Sequence, residues 1–500
     1  MEFRLIQKPL EVERLVGDSM KQVLVTTETM VPGAGRDQVR PLIADATLVI
    51  HHAEVQQDQV VLDGTVFCQA LYRQGDESSV RALSAEGKLS QIINIDGASS
   101  GQILRVAGDV EHVEPSYENG HMVFRVAVAL HAQVSELSPI SLIEDIEGRN
   151  DIEKHYVDIT GSKLAAEAHA GATLHEEVNL PAELDARMAL MDMGDARIHG
   201  IQPDLGGVRV RGEVMTETWI GTGVAGRPVA KVSVALPFDE VVELPEWLSA
   251  NVVCDAQIAR LQTSVQEGAA GRDGMLGIEC ALSIKVSAVV EEEVRALQDA
   301  FATDADGILV EQMPIEVKSG VVQHESIEAF KGSISLGAQA PGAGAILCVK
   351  ARPTLADWVA SRGQTELSGI IEAQVLYLES SGVGVSVIRE ELPFTAQISG
   401  ELPADAWVRV SAMNAESGAL MSDRLEIRCQ MKIAADYRHS NHIVCAVSAE
   451  ASGPEKRRDG IILTWPQEGD SAWGLAKKYK IPVATVGETL VKGRAAVLRI

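Results

Sequence analysis

Apolar and polar residues alternate along this chain with a period of two, and three stretches repeat that alternation around a central glycine. The first runs from Gln59 to Tyr72 around Gly64, and Gly212 and Gly369 centre the others, at intervals of roughly 150 residues. On the face sharing parity with the glycine stand Val60, Leu62, Val66, Cys68, Ala70 and Tyr72. The second copy places Val208, Val210, Val214, Thr216, Thr218 and Ile220 there; the third places Thr365, Leu367, Ile371, Ala373, Val375 and Tyr377. The other face is polar, with Asp63, Thr65 and Gln69, then Arg209, Arg211, Glu213 and Glu217, then Glu366, Ser368, Glu372 and Gln374. One apolar face at period two predicts a half-buried strand. A slip of one residue would expose the whole apolar set, so the register is well specified. The mid-strand glycine predicts a bulge or a tight crossing over a neighbour.

Further strands recur in phase with the glycine strand. A second alternating run lies at Phe124–Leu130, Ile278–Val286 and Leu425–Ile433. Between the two falls a third, at Leu89–Ile95, Leu236–Leu244 and Leu392–Leu402. Copies two and three open that third run with Leu236-Pro237-Phe238 and Leu392-Pro393-Phe394, and copy one lacks this signal. Opening strands are expected at Gln22–Met30, Thr173–Leu180 and Glu325–Ser335. These runs place repeats at 20–136, 171–290 and 321–438. Residues 1–19 form an N-terminal segment, 137–170 and 291–320 connect the repeats, and 439–460 links the third to a tail at 461–500. The connectors hold too many apolar residues for simple disordered linkers. They are expected to pack as extra strands or lids, with a short helix from Glu291 to Phe301.

Composition narrows the function. The chain has 500 residues and a net charge of −27, a field that repels phosphates and argues against nucleic acid as partner. Aromatic residues are 4% and β-branched residues recur in short runs, which favours antiparallel sheet. The chain carries no apolar run of the length a membrane helix needs, so membrane insertion is not expected. The N-terminus, Met1 to Pro9, lacks the features of a signal peptide. Cys68, Cys254, Cys280, Cys348, Cys429 and Cys445 lie far apart, without zinc or redox spacing. They read as buried thiols of a cytosolic protein.

The tail differs in texture. Residues 451–500 hold nine Lys or Arg and five Asp or Glu, a net of +4 against −31 over the rest. Its pattern predicts a strand at Ile461–Trp465, a helix at Ala472–Tyr479 capped by Asp470 or Ser471, a short helix at Val483–Thr489, and a closing strand at Ala495–Ile500. Pro482 stops the first helix.

These residues carry two family resemblances. The glycine strand ends in an apolar-Tyr pair, Leu71-Tyr72 and Leu376-Tyr377, with Trp219-Ile220 in copy two. Together with the Leu-Pro-Phe strand and the Glu243-Leu244-Pro245 and Glu401-Leu402-Pro403 turns, this resembles the SPOCS domain of clostridial spore-coat-associated proteins, over residues 20 to 440. In the tail, Gly469-Asp470-Ser471, Trp473, Ala476 and Tyr479, then Ile481-Pro482-Val483, resemble a LysM module. The Leu-Asn pair usual after the second helix is missing, and that helix is short. The resemblance implies a groove with Gly469, Asp470 and Ser471 on one wall and Pro482 and Val483 flanking it, and Lys478 joins the candidate contact residues. A small packing module that binds nothing, or a basic module that docks on its own acidic repeats, fits the tail as well.

Catalytic machinery is not evident. A His51-His52 pair in a strand points to opposite faces and cannot easily share one metal. Pro341-Gly342-Ala343-Gly344-Ala345 lacks the Lys and Ser/Thr of a phosphate loop, and serines near glycines such as Ser361-Arg362-Gly363 and Ser380-Ser381-Gly382 lack the Gly-x-Ser-x-Gly elbow. The expected protein is mainly β: three tandem antiparallel β-sandwich-like repeats plus a small βααβ LysM-like domain. The resemblances imply a non-enzymatic scaffold without cofactor, cytoplasmic in the mother cell at the forespore surface. Its partner would be a spore coat basement-layer ATPase or another coat protein. The rival reading is a wall or cortex protein that binds peptidoglycan.

Overall fold

The computed structural model describes residues 3–33, 39–75, 80–244, 250–268, 273–304, 306–336, 341–421, 424–454, 460–465, 467, 470–487 and 496–499. Its first eighteen strands form three units of six. The first unit contains β1 (Arg4–Met30), β2 (Val39–Gln56), β3 (Gln59–Gln74), β4 (Val80–Asn94), β5 (Ile103–Glu118) and β6 (His121–Glu147). The second contains β7 (Ile152–Leu180), β8 (Ala186–Asp204), β9 (Gly207–Thr222), β10 (Val229–Glu243), β11 (Ala250–Gln266) and β12 (Gly274–Ala302). The third contains β13 (Asp306–Ser335), β14 (Ala343–Ser361), β15 (Gln364–Glu379), β16 (Val385–Ser399), β17 (Trp407–Met421) and β18 (Arg424–Pro454). Each unit stacks two antiparallel three-stranded sheets. Their orders are β1-β6-β5 with β2-β3-β4, β7-β12-β11 with β8-β9-β10, and β13-β18-β17 with β14-β15-β16.

The two most legible runs are the two central strands of each sandwich. All the apolar-face residues of the three glycine strands are buried. They pack against the matching face of β6, β12 or β18, giving each unit its own core. The glycine resolves both ways at once. Its neighbour strand bulges opposite it, at Ile50/His52, Ile198/Gly200 and Leu355/Asp357. A Cβ on Gly212 would lie 2.1 Å from the Arg197 carbonyl oxygen and 2.4 Å from the Phe238 ring. On Gly369 it would meet the Thr354 oxygen at 2.2 Å and the Phe394 ring at 2.6 Å. The Leu-Pro-Phe signal therefore supplies a ring that lies over the bare glycine of the adjacent strand; in the first unit Leu89 takes that place.

The stretches expected as an N-terminal segment and connectors are the ends of long strands. β1, β6, β7, β12, β13 and β18 run from 27 to 31 residues and project beyond the sandwiches as three paired ribbons. A bulge marks each exit, at Leu15/Gly17, Ala288/Val289 and Ser319/Val322. The ribbons share a core of Leu10, Leu142, Ile159, Val294, Val317 and Cys445, drawn from all three units. The helix expected at Glu291–Phe301 is instead part of β12. A bulge at Leu297/Asp299 breaks its alternation, so consecutive residues turn inward and mimic helical spacing.

A second shared core closes the three units around a common axis. It joins Leu42, Ile43, Leu71 and Val80 to Leu190, Met191, Trp219 and Val229, and to Cys348, Leu376 and Val385. Leu71, Trp219 and Leu376 occupy the same register position in three units, as do Val80, Val229 and Val385. The apolar residue of each terminal pair thus leaves its own sandwich and packs at the junction. Trp219, placed on the polar face by sequence parity, is fully buried there.

The tail consists of β19 (Ile461–Thr464), α1 (Ala472–Tyr479), α2 (Val483–Gly487) and β20 (Ala496–Arg499), with β19 and β20 paired antiparallel.

Candidate functional site

Charge pairs or hydrogen bonds cross every junction between units. Between the first and third, Asp45 on β2 meets Lys350 Nζ at 2.5 Å and also pairs with Arg352, both on β14. Burial pushes the Asp45 carboxyl upward, but the two cations prevail and hold it below the usual carboxylate range. Burial pulls Lys350 down to about 8, against the pull of Asp45. Nearby, Trp407 of the third unit stacks on His131 of the first with centroids 4.2 Å apart, and Arg105 lies 4.7 Å over the same ring. Arg105 also binds Asp436 at 2.8 Å. The second unit joins both neighbours. The Asp192 backbone N–H donates to Gln69 at 2.9 Å, and Arg409 pairs with Asp255 at 3.2 Å. The first and third units therefore touch directly, and the chain closes on itself.

Under the apolar junction lies a cavity of about 790 Å³, walled by all three units. Equivalent bulges in β5, β11 and β17, at Val110/His112, Ile258/Arg260 and Ala412/Asn414, put Glu111, Ala259 and Met413 on its wall. Most cavity carboxylates are matched. Asp45 has its two cations, Glu111 accepts from Gln22 at 3.0 Å, Asp195 pairs with Arg197 at 3.3 Å, and Glu217 with Lys231 at 2.5 Å. Asp109 and Asp192 differ. Among the described residues no basic side chain forms an ion pair with either, and Asp192 accepts from the Thr263 hydroxyl at 2.6 Å. Desolvation by the wall raises the pKa of both, although Asp109 keeps an exposed face and feels the opposing pull of Arg409 and His131.

The tail sits on the β7–β12 ribbon. Trp473 Nε1 donates to Asp299 at 2.9 Å, and Lys477 Nζ reaches both Asp299 oxygens at 2.6 and 2.7 Å. The Trp473 ring stacks on His155 with centroids 4.9 Å apart and meets the edge of Phe301 at 5.1 Å. Phe301 belongs to the same core as Leu475, Ala476, Ile481 and Val486. The ribbon thus completes the tail's small core, and Trp473 faces the body as well as the tail.

The expected groove residues are only partly brought together. Ser471 caps α1 by accepting from Gly474 N–H at 3.0 Å, and Asp470 accepts from Gln467 N–H at 2.9 Å, so both organise the turn before the helix. Pro482 and Lys478 are exposed, Lys478 lying 5.4 Å over the Tyr479 ring. Val483 is half-buried against the tail's own core. Gly469 lies outside the described residues, as do Trp247 and Pro245. Sequence reasoning missed the junction and its cavity. The usable signal was the terminal pair of each glycine strand, where both faces turn apolar at Leu71-Tyr72, Trp219-Ile220 and Leu376-Tyr377.

Among the described residues no group of three or more His, Cys, Asp or Glu is placed to hold a metal ion, and no helix is long and apolar enough to cross a membrane. The six cysteines are free and buried. These features describe a triplicated β-sandwich body carrying a small docked tail. Residues 38–117, from the start of β2 to the end of β5, match the family model described as SipL, SPOCS domain. No curated protein and no solved structure matches the chain.

Proposed function

We propose that this chain is a non-enzymatic scaffold of the endospore coat, joining coat protein to the forespore surface from the mother-cell cytoplasm. The observation that carries this reading is the SPOCS-domain match at 38–117, lying within a six-stranded unit that the chain builds three times. Closure of the units into one body supports it, because a rigid body with several sheet edges presents partner surfaces in fixed relation. Strand, helix, helix, strand order supports reading the tail as LysM-like. Its net positive charge, on a body of opposite sign, suits contact with an acidic coat partner such as the basement-layer ATPase.

The test uses the full chain. Biolayer interferometry against a purified coat basement-layer ATPase should give saturable binding, weakened by Lys478→Glu while the unfolding midpoint stays put. Sedimentation with insoluble peptidoglycan should leave the protein in the supernatant. Strong co-sedimentation with peptidoglycan and no binding to the ATPase would replace the scaffold reading with the wall-binding one.

A further inference from the structure

We propose that the outer face of the tail's two-stranded sheet rests on an anionic lipid surface, with Ile461, Leu463, Trp465 and Val497 entering the headgroup layer. The proposal goes beyond the coat reading and does not depend on it, because it uses neither Lys478 nor a protein partner. Exposure alternates strictly from Ile461 to Trp465. Ile462 turns inward and packs against the tail's core, while Ile461, Leu463 and Trp465 are 68%, 58% and 64% exposed. Val497 on β20 lies directly opposite Leu463 and is 48% exposed. Four large apolar side chains therefore share one uncovered face. The tail is docked through α1, by Trp473 and Lys477, and that docking leaves this face open.

Area and charge set the occupant. A stable protein interface takes about 20–30 residues a side, and these few side chains fall far short of that. A bilayer interface needs no complementary shape, and tryptophan favours the headgroup level, where one part of its ring is in apolar surroundings and the other is wet. Charge agrees. Positions 455–460 and 492–500, which flank the two strands in sequence, carry Lys456, Arg457, Arg458, Lys492, Arg494 and Arg499 against Glu455 and Asp459. Basic residues beside an exposed apolar face draw a peripheral protein to anionic lipid. The acidic remainder of the chain is repelled by the same surface, so the tail approaches it first; at physiological salt that repulsion fades beyond about 8 Å. The contact is peripheral. A strand that crosses a bilayer takes about 9–11 residues, and β19 and β20 have 4 each.

Co-sedimentation of the full chain with sucrose-loaded vesicles at physiological salt tests this. Vesicles of equal parts phosphatidylglycerol and phosphatidylcholine should pellet the chain, and phosphatidylcholine alone should pellet it about fivefold less or weaker still. Leu463→Ser/Trp465→Ser and, separately, Lys456→Gln/Arg457→Gln/Arg458→Gln should each cut binding to the anionic vesicles by about fivefold or more. Leu463 and Trp465 are exposed, so the unfolding midpoint of their double variant should match the parent's. Absence of pelleting with the anionic vesicles, equal binding by either variant, or equal binding to phosphatidylcholine alone would each overturn the proposal. So would loss of binding to a purified coat protein by Leu463→Ser/Trp465→Ser without any lipid present, which would give the face to a protein partner.

Discussion

Replacing Asp45 by Asn probes the contact that closes the first unit on the third. The carboxylate is the shared counter-ion of Lys350 and Arg352, whose side chains are 6% and 14% exposed. Asn keeps the shape and removes the charge, leaving Arg352 and Lys350 without their shared counter-ion at a sheltered interface. Breaking a buried pair in this way costs about 3–5 kcal/mol, roughly two to nearly four orders of magnitude in the unfolding equilibrium. The sign with pH is fixed by the lowered pKa. Asp45's contribution is complete above its unfolded value of 3.8 and is lost as pH falls through the lower folded value. Urea unfolding at pH 7 should therefore show the full penalty, and the gap between variant and parent should narrow as the pH falls below 3.8. The triple variant Asp45→Leu/Lys350→Met/Arg352→Met should recover most of the loss, since apolar replacement of a buried ion group is often neutral. A penalty under about 1 kcal/mol for Asp45→Asn at pH 7, the range of surface pairs, would refute the reasoning. So would a penalty unchanged at pH 3.

The packing sets three further outcomes. Gly212→Ala drives a methyl into the Arg197 carbonyl and the Phe238 ring and should destabilise the second unit by about 1–3 kcal/mol or more in urea melts. Asp299→Ala leaves the Trp473 N–H and the Lys477 ammonium without their acceptor, and loss of a charged hydrogen bond costs about 1.5–3 kcal/mol; hydrogen exchange across Ala472–Tyr479 should accelerate while the three units stay protected. Burial pushes Cys68, Cys254 and Cys348 to about 12 and Cys280 and Cys429 to about 11, so a thiol reagent at pH 8 should label the native chain slowly and all six cysteines at once after unfolding.

The sequence made legible those strands that are buried on one face only. β3, β9 and β15, and their counterparts β6, β12 and β18, announce themselves because one side meets a core and the other stays polar. β2, β8 and β14 are harder to read. Each carries a bulge opposite the glycine and another beside Leu42, Leu190 or Leu347, and each bulge inverts the parity of the residues beyond it. The junction was hidden for a different reason. Gln69, Glu217 and Gln374 are polar because they are hydrogen-bonded at or beside the junction, Gln69 accepting from the Asp192 N–H of the second unit, Glu217 pairing with Lys231 and Gln374 donating to Glu372, and alternation alone cannot tell such a face from one in water. In the tail, the Ser471 cap and the α1 span were readable from local chemistry. The docking of Trp473 on Asp299 was not, because its acceptor lies 174 residues away in the chain.

The account depends most on three copies closing on one another around a shared axis. Small-angle X-ray scattering of the full chain measures this directly. A compact body of 500 residues has a radius of gyration of about 23 Å, and the account predicts a value within a few ångströms of that with one maximum in the pair-distance distribution. A radius above about 30 Å with separate maxima, the signature of sandwiches strung along flexible connectors, would contradict it.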